Sequence, residues 1–223
     1  MPTPLRHSLL CSFLLSLGCT AAYSNTPQNM TAGEIARLPA YCADAQGMAP
    51  NSGTPSAPTA AQQRWVAAMG ESFWHVHHYC WALLNVNRIS LSGMTPQQRA
   101  FHYTSAIGDC NYVVSLSPPD FVLLPEIFLR MGQFHLAADR PVDALMHFDK
   151  SRQAKPDYWP AYLESSKVNA SLKRSHEAIN ILKAGLEVMP NESRLSDALA
   201  ALTAAKPEPA AKRPERSARV APK

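Results

Sequence analysis

Two stretches of this chain carry the same pattern of small, bulky and helix-ending residues, 34 positions apart. The first copy consists of Ala144, Phe148, Ser151 and Pro156, and the second consists of Ala178, Leu182, Gly185 and Pro190. A fixed period of this length is typical of a supersecondary unit that buries its apolar face only by stacking on its neighbours. The repeat therefore predicts a stack of helical hairpins.

The residues before each copy also correspond in kind. Phe128, Met131, Gly132 and His135 match Tyr162, Ser165, Ser166 and Asn169 at the same period. We expect them to form the first helix (helix A) of each hairpin, with the later residues on the second (helix B). Small residues let the two helices approach, bulky ones fill the space toward the next hairpin, and proline ends helix B because it lacks an amide hydrogen. These signature residues are Gly132, Ala144, Phe148, Pro156, Ala178, Leu182 and Pro190.

A weaker copy precedes these two, and a final helix follows them. Ala106, Cys110, Val113 and Pro118 keep the same internal offsets, so 72–118 is predicted to be a degenerate hairpin. Residues 192–203 are expected to cap the stack and cover its last apolar face. No segment shows sustained strand alternation, and the predicted class is all-α.

Local signals predict the remaining elements. Thr31 and Glu34 form a capping-box pattern for a short helix that ends near Leu38, and 43–62 read as a linker. A helix is expected from Arg64 to Gly70. Further helices are predicted over 73–89, 95–116, 125–138, 141–154, 159–172, 175–188 and 192–203.

The repeat resembles that of tetratricopeptide-repeat proteins, closely over 125–190 and moderately over 72–203. The resemblance implies a right-handed superhelical stack of antiparallel helix pairs, with a concave groove lined by helix A that binds a peptide or a partner subunit. Carried onto this chain, the groove residues are Glu126, Leu129, Gln133, Leu136, Leu163, Lys167, Ala170 and Ser171. The row of Lys and Arg with which some members hold a terminal carboxylate is missing, since Lys167 alone does not supply it.

Residues 1–24 have the pattern of an export signal. The apolar run at 9–17 is too short to span a bilayer as a permanent helix, and 22–24 offer the small residues that a signal peptidase needs. Residues 16–19 instead resemble a bacterial lipobox, in which Cys19 would be lipidated after removal of 1–18. An uncleaved anchor is a third alternative. The predicted location is the periplasm or envelope.

Export would leave three cysteines in a compartment where disulfides persist. Cys110 falls at a buried position of the degenerate hairpin, so Cys42 and Cys80 are the predicted pair. Three free buried thiols remain the alternative.

The run from Trp74 to Trp81 is rich in His and aromatic residues. Its HHYCW segment, at 77–81, resembles one in bacterial envelope repeat proteins that have an upstream Leu-Pro-x-Tyr-Cys, present here at 38–42, and this supports the Cys42–Cys80 pair. His75 and His78 lie one helical turn apart and are weak candidates for metal ligands. Packing under the N-terminal arm, or an aromatic patch for a partner, are the other interpretations.

The formal charge of +4 resides in the tail, because six basic and two acidic residues lie in 206–223 and the rest sums to about zero. A neutral body does not have the basic face of a nucleic-acid-binding domain. The tail is rich in Pro and Ala and is expected to be disordered. It is either a solvated end or weakly attracted to anionic lipid headgroups, which with a Cys19 lipid would bring the protein to a membrane.

The domain prediction is a signal over 1–24, an arm and linker over 25–62, a helical domain over 63–203 and a tail over 204–223. No nucleophile elbow, phosphate loop or dinucleotide turn occurs in the chain, so no enzyme and no cofactor are predicted. The predicted function is a non-enzymatic scaffold that binds an envelope protein or peptide. The alternative is a metal- or redox-responsive binding protein that uses His75, His78 and Cys80.

Overall fold

The structure is a computed structural model that describes residues 27, 29–46, 48, 57–89 and 93–204. These residues form ten α-helices and one 3₁₀ helix, Glu71–His75, and contain no strand, which confirms the all-α class. The helices are α1 Ala32–Ile35, α2 Ala40–Asp44, α3 Ala60–Met69, α4 Val76–Ile89, α5 Pro96–Ser115, α6 Leu124–Ala137, α7 Pro141–Ala154, α8 Trp159–Ser171, α9 Ser175–Val188 and α10 Ser193–Ala204. The export signal, Cys19 and the tail from 205 lie outside the described residues.

Three helices begin at reciprocal capping boxes. In each, a threonine hydroxyl accepts a hydrogen bond from the backbone amide three residues later, and that residue's side chain accepts one from the threonine amide. The pairs are Thr31 with Glu34, Thr59 with Gln62, and Thr95 with Gln98. Side-chain atoms thereby satisfy amide groups that a helix start leaves without a partner.

The N-terminal region departs from the sequence prediction in three places. Helix α1 ends at Ile35, and after Pro39 the chain forms a second short helix, α2, that contains Cys42. Helix α3 begins at Ala60, inside the stretch predicted to be a linker, because Thr59 caps it. The segment predicted as one helix from Phe73 starts as a 3₁₀ turn and becomes α-helical only at Val76.

From α4 onward the helices form an ordered stack. Helix α4 pairs with α5, α6 with α7, and α8 with α9, while α5 also contacts α6 and α7 contacts α8. Helix α10 packs on α9 and α8. The arrangement is a tetratricopeptide-like helical solenoid, as the repeat predicts. Within the described residues, every helix is either too short or too polar to span a lipid bilayer.

The signature residues form the contacts between these helices. The Phe148 ring lies directly over Gly132, so that a β-carbon at position 132 would collide with it. A β-carbon at Gly185 would lie 2.7 Å from Leu195 Cδ1 and 2.9 Å from Tyr162 Cδ1. The glycines therefore set how closely the helices approach.

The hairpins α6–α7 and α8–α9, which contain the two matching copies of the repeat and are called the clean hairpins below, share one turn geometry. Asp139 and Lys173 occupy equivalent positions of the repeat, and both have positive φ, at 58° and 60°. In each hairpin the amide of the following residue bonds to the carbonyl five residues back, Arg140 to His135 and Arg174 to Asn169. This pattern closes the last turn of helix A in the manner of a Schellman motif.

Candidate partner-binding groove

The predicted groove residues of the first hairpin are partly covered. The hydroxyl of Tyr79, on α4, donates a hydrogen bond to Glu126 Oε1 at 2.8 Å, so this carboxylate already has a partner within the protein. Leu129 is only 7% exposed and packs in the core cluster with Phe148 and Ala161. This corrects the placement of Leu129 on an open groove, because its side chain is buried in the core cluster shared by α6, α7 and α8.

The other two predicted residues of this hairpin keep some surface. Gln133 is half-buried and accepts a hydrogen bond from Arg130 Nη1 at 3.1 Å. Leu136 is half-buried and packs against the same core cluster as Leu129. On α6, Gln133 and Leu136 therefore form a narrow accessible surface with one polar and one apolar side chain.

The second hairpin presents more accessible side chains. Lys167 has 59% of its side chain exposed, and its Nζ lies 2.8 Å from Glu164 Oε1. Ser171 is exposed and donates to the Val168 carbonyl. Leu163 and Ala170 are half-buried. Of the eight predicted groove residues, Lys167 and Ser171 are the exposed ones.

The N-terminal arm, residues 29–48 as far as they are described, packs against α4 and shares a core with it. Leu38, Tyr41 and Met48 are buried in the same cluster as residues of α4, α5 and α6. Burial raises the pKa of the Tyr41 hydroxyl, and the nearby Glu126 carboxylate raises it further. The arm therefore places the Tyr41 hydroxyl within electrostatic influence of the carboxylate that Tyr79 binds.

Two groups of hydrogen bonds hold this arm, one near each of its ends. Arg88 Nε and Nη2 donate to the Glu34 carboxylate at 2.6 and 3.0 Å, and these hydrogen bonds are the largest cause that lowers the Glu34 pKa to about 2. At the other end of the arm, Trp65 Nε1 donates to Asp44 Oδ2 at 2.7 Å and Gln62 donates to the Asp44 carbonyl. Hydrogen bonds to an ionised group are stronger than neutral ones.

Cys42 and Cys80 have the geometry of a disulfide. Their sulfur atoms lie 2.05 Å apart and their Cα atoms lie 5.7 Å apart. Both residues are fully buried. Cys110 is a free, buried thiol, and burial raises its pKa. A thiol held neutral in this way is a poor nucleophile.

The His and aromatic run forms a packed cluster on α4 and α5. His78 Nδ1 lies 2.9 Å from Asp109 Oδ1. The centroid of the Tyr112 ring lies 4.0 Å from that of the His78 ring and 5.9 Å from that of the His75 ring. Tyr112 thus contacts both histidines that were candidate ligands. Among the residues that the structure describes, no group of three or more His, Cys, Asp or Glu side chains is placed to hold a metal ion.

Sequence reasoning did not single out a second histidine pair. His135 on α6 and His147 on α7 stack with ring centroids 4.8 Å apart and planes 14° from parallel. Within the described residues, the Nδ1 atom of each is buried with no hydrogen-bond partner. His135 was recognised only as a repeat position, and no motif in the sequence links it to His147.

Comparison with known proteins agrees with the repeat architecture. Residues 135–202 match the family model described as tetratricopeptide repeat. A segment of 97 residues, 44% of this chain, is 32% identical to a Dictyostelium discoideum protein described as "Protein STIP1 homolog", and it spans 16% of that protein's length. Tetratricopeptide repeats are interaction modules, so the matched repeats indicate a protein–protein interaction scaffold.

Proposed function

We propose that this protein is a non-enzymatic scaffold of the bacterial cell envelope that binds a protein or peptide through the helix-A side of its repeats. Its role would be in the assembly of an envelope or secretion complex. The observation that carries the proposal is the ordered stack of helix pairs, in which α8 presents Lys167 and Ser171 to solvent. No cofactor is needed for this function.

The partner surface lies toward the C-terminal end of the stack. Tyr79 binds Glu126 and Leu129 is buried in the core, so the first hairpin contributes mainly Gln133 and Leu136. Lys167 adds an exposed cation that can pair with an acidic side chain of the partner. Because exposed ion pairs contribute little, about 0–1 kcal/mol, we expect the apolar contacts around Leu163 to supply most of the affinity.

The proposal of an envelope location rests on the signal pattern of 1–24 and on the pairing of two buried cysteines, Cys42 and Cys80. We infer that the two cysteines form a disulfide in the mature protein, since such bonds persist in oxidising compartments. Cys19 is the proposed lipid attachment site if the lipobox pattern is used, and the basic tail would add attraction to anionic headgroups.

Site-specific photo-crosslinking in living cells tests the partner surface. A photoreactive amino acid at position 167 should capture a defined protein at native abundance, while the same group at Lys183, an exposed position on α9, should capture none or a different one. Lys167→Glu should weaken capture of that protein in co-purification, and Lys183→Glu is the control with the same charge change. Equal capture at both positions would contradict the proposed surface.

Cell fractionation and mass spectrometry test the location. The mature chain should appear in the envelope fraction, and a non-reduced digest should contain the peptide pair that joins Cys42 to Cys80. Cys19→Ser should release the protein from the membrane fraction if it is a lipoprotein and change nothing if it is a soluble export. Recovery of a full-length chain with reduced cysteines would argue against export.

A further inference from the structure

The stacked histidines lie between the two helices of the first clean hairpin, with His135 near the end of α6. His135 and His147 are 5% and 9% exposed, and their rings join α6 to α7. Phe128 extends the stack, with its ring centroid 6.4 Å from that of His147. Buried polar atoms usually have a hydrogen-bond partner, so two adjacent Nδ1 atoms without one among the described residues require an explanation.

The surroundings favour neutral rings. Burial lowers the pKa of both histidines, and in His147 it acts with the charge that a protonated His135 would carry, which brings that pKa to about 4. The Asp143 carboxylate approaches the pair, with Oδ2 4.0 Å from His135 Nδ1, but Arg140 Nε already binds that oxygen at 2.7 Å. Arg140 and Lys150 also oppose protonation of His147.

The charged groups of the neighbouring helices have partners of their own. On α5, Asp109 bonds His78 and Arg99 donates to the Met94 carbonyl, while the His102 ring packs edge-on against Phe101. On α8, Glu164 and Lys167 bind each other. Within the described part of the chain, these helices therefore offer the stack no carboxylate free to stabilise a second positive charge.

We propose that His135 and His147 are an acid-sensing device that holds α6 against α7 at neutral pH and loosens them as the medium becomes acidic. Protonation of either ring places a charge in the helix contact, and an opened hairpin exposes both rings to water. The opened state binds protons more readily than the closed one, so acid shifts the equilibrium toward opening.

The consequence for binding rests on the proposed function. Gln133 and Leu136 belong to α6, the helix that would move, so acid would weaken a partner held at this face. The opening itself requires no partner and can be measured on the protein alone.

Hydrogen exchange of the full chain, read by mass spectrometry at pH 7.0 and 5.0 and corrected for intrinsic exchange, tests the device. Amides of α6 and α7 should exchange on the order of tenfold faster at the lower pH, as expected for a histidine whose pKa is about 6.5 when the hairpin is open and about 4, as for His147, when it is closed. The double variant His135→Phe with His147→Phe should abolish this rise. His176→Phe, which alters an exposed histidine on α9, should leave it unchanged.

Two results would overturn the proposal. One is an equal rise in α6 and α7 exchange in the double variant. The other is a side-chain NMR titration of the natural protein in which His135 and His147 protonate near 6.5 without faster exchange, a measurement that needs no variant to fold. A missing partner in crosslinking would contradict the scaffold proposal and leave this one standing.

Discussion

The left-handed residues of the two hairpin turns are a point of local strain. Asp139 and Lys173 adopt φ values of 58° and 60°. This region costs residues with a β-carbon roughly 1–2 kcal/mol, whereas glycine enters it freely. The turn needs this conformation because the amides of Arg140 and Arg174 reach back five residues. Aspartate tolerates it better than lysine does.

Lys173→Gly should therefore stabilise the protein by about 0.5–1 kcal/mol, because it relieves this strain without removing any buried contact. Urea denaturation followed by circular dichroism would show a higher midpoint at unchanged slope. Lys173→Ala keeps a β-carbon and is the matched control, for which no gain is expected. A gain from alanine equal to that from glycine would refute the strain explanation.

A second residue-scale prediction concerns close approach. Gly132→Ala places a methyl group where the Phe148 ring lies. The resulting clash should destabilise the protein by about 1–3 kcal/mol. Gly108→Ala is the matched control, because Gly108 also lies in a helix and nothing comes within 4 Å of its added β-carbon. There the better helix propensity of alanine should give a gain of about 0.5–1 kcal/mol. Phe148→Leu should partly rescue Gly132→Ala in thermal unfolding.

At the scale of elements, the arm depends on its fastening to α4. Cys42 and Cys80 have a sequence separation of 38. Closing a loop of that length contributes roughly 3–4 kcal/mol in the chain-entropy model. In the variant Cys42→Ser with Cys80→Ser, we expect trypsin to cut at the exposed Arg37 faster than in the natural protein, while α6 to α10 resist. The natural protein without reductant is the control. Equal resistance of Arg37 in both proteins would mean that the Glu34–Arg88 pair and apolar contacts suffice.

The helices of the repeat could be predicted to within a residue or two, because prolines near their ends and the repeat period mark them in the sequence. The start of α3 was missed although Thr59 and Gln62 form a capping box, since the linker composition masked it. Helix α2 was missed because only tertiary contacts of Tyr41 and Cys42 hold so short a helix after Pro39. Likewise, Leu129 is buried in a cluster that includes Ala161 and Val168 of the next hairpin, a long-range arrangement that no local pattern reveals.

At the scale of the whole molecule, each hairpin makes its main helix contacts with its neighbours along the described stack. Stability in such a solenoid is a sum of local terms, so a defect at one end spreads over a limited distance. Leu195 is the fully buried residue by which α10 packs against Tyr162 and Leu182, in the core cluster at the C-terminal end. That cluster contains no described residue of α4, α5 or α6.

Leu195→Ala should cost about 2–5 kcal/mol in the C-terminal hairpin, through lost burial and the cavity that remains. Hydrogen exchange should accelerate in α8, α9 and α10 and remain unchanged in α4 and α5. Leu199→Ala, at a half-buried position of the same helix, is the graded control and should give a smaller effect in the same region. Acceleration spread evenly from α4 to α10 would instead mean that the chain unfolds as one cooperative unit, because the core clusters would then be coupled more strongly than their separation suggests.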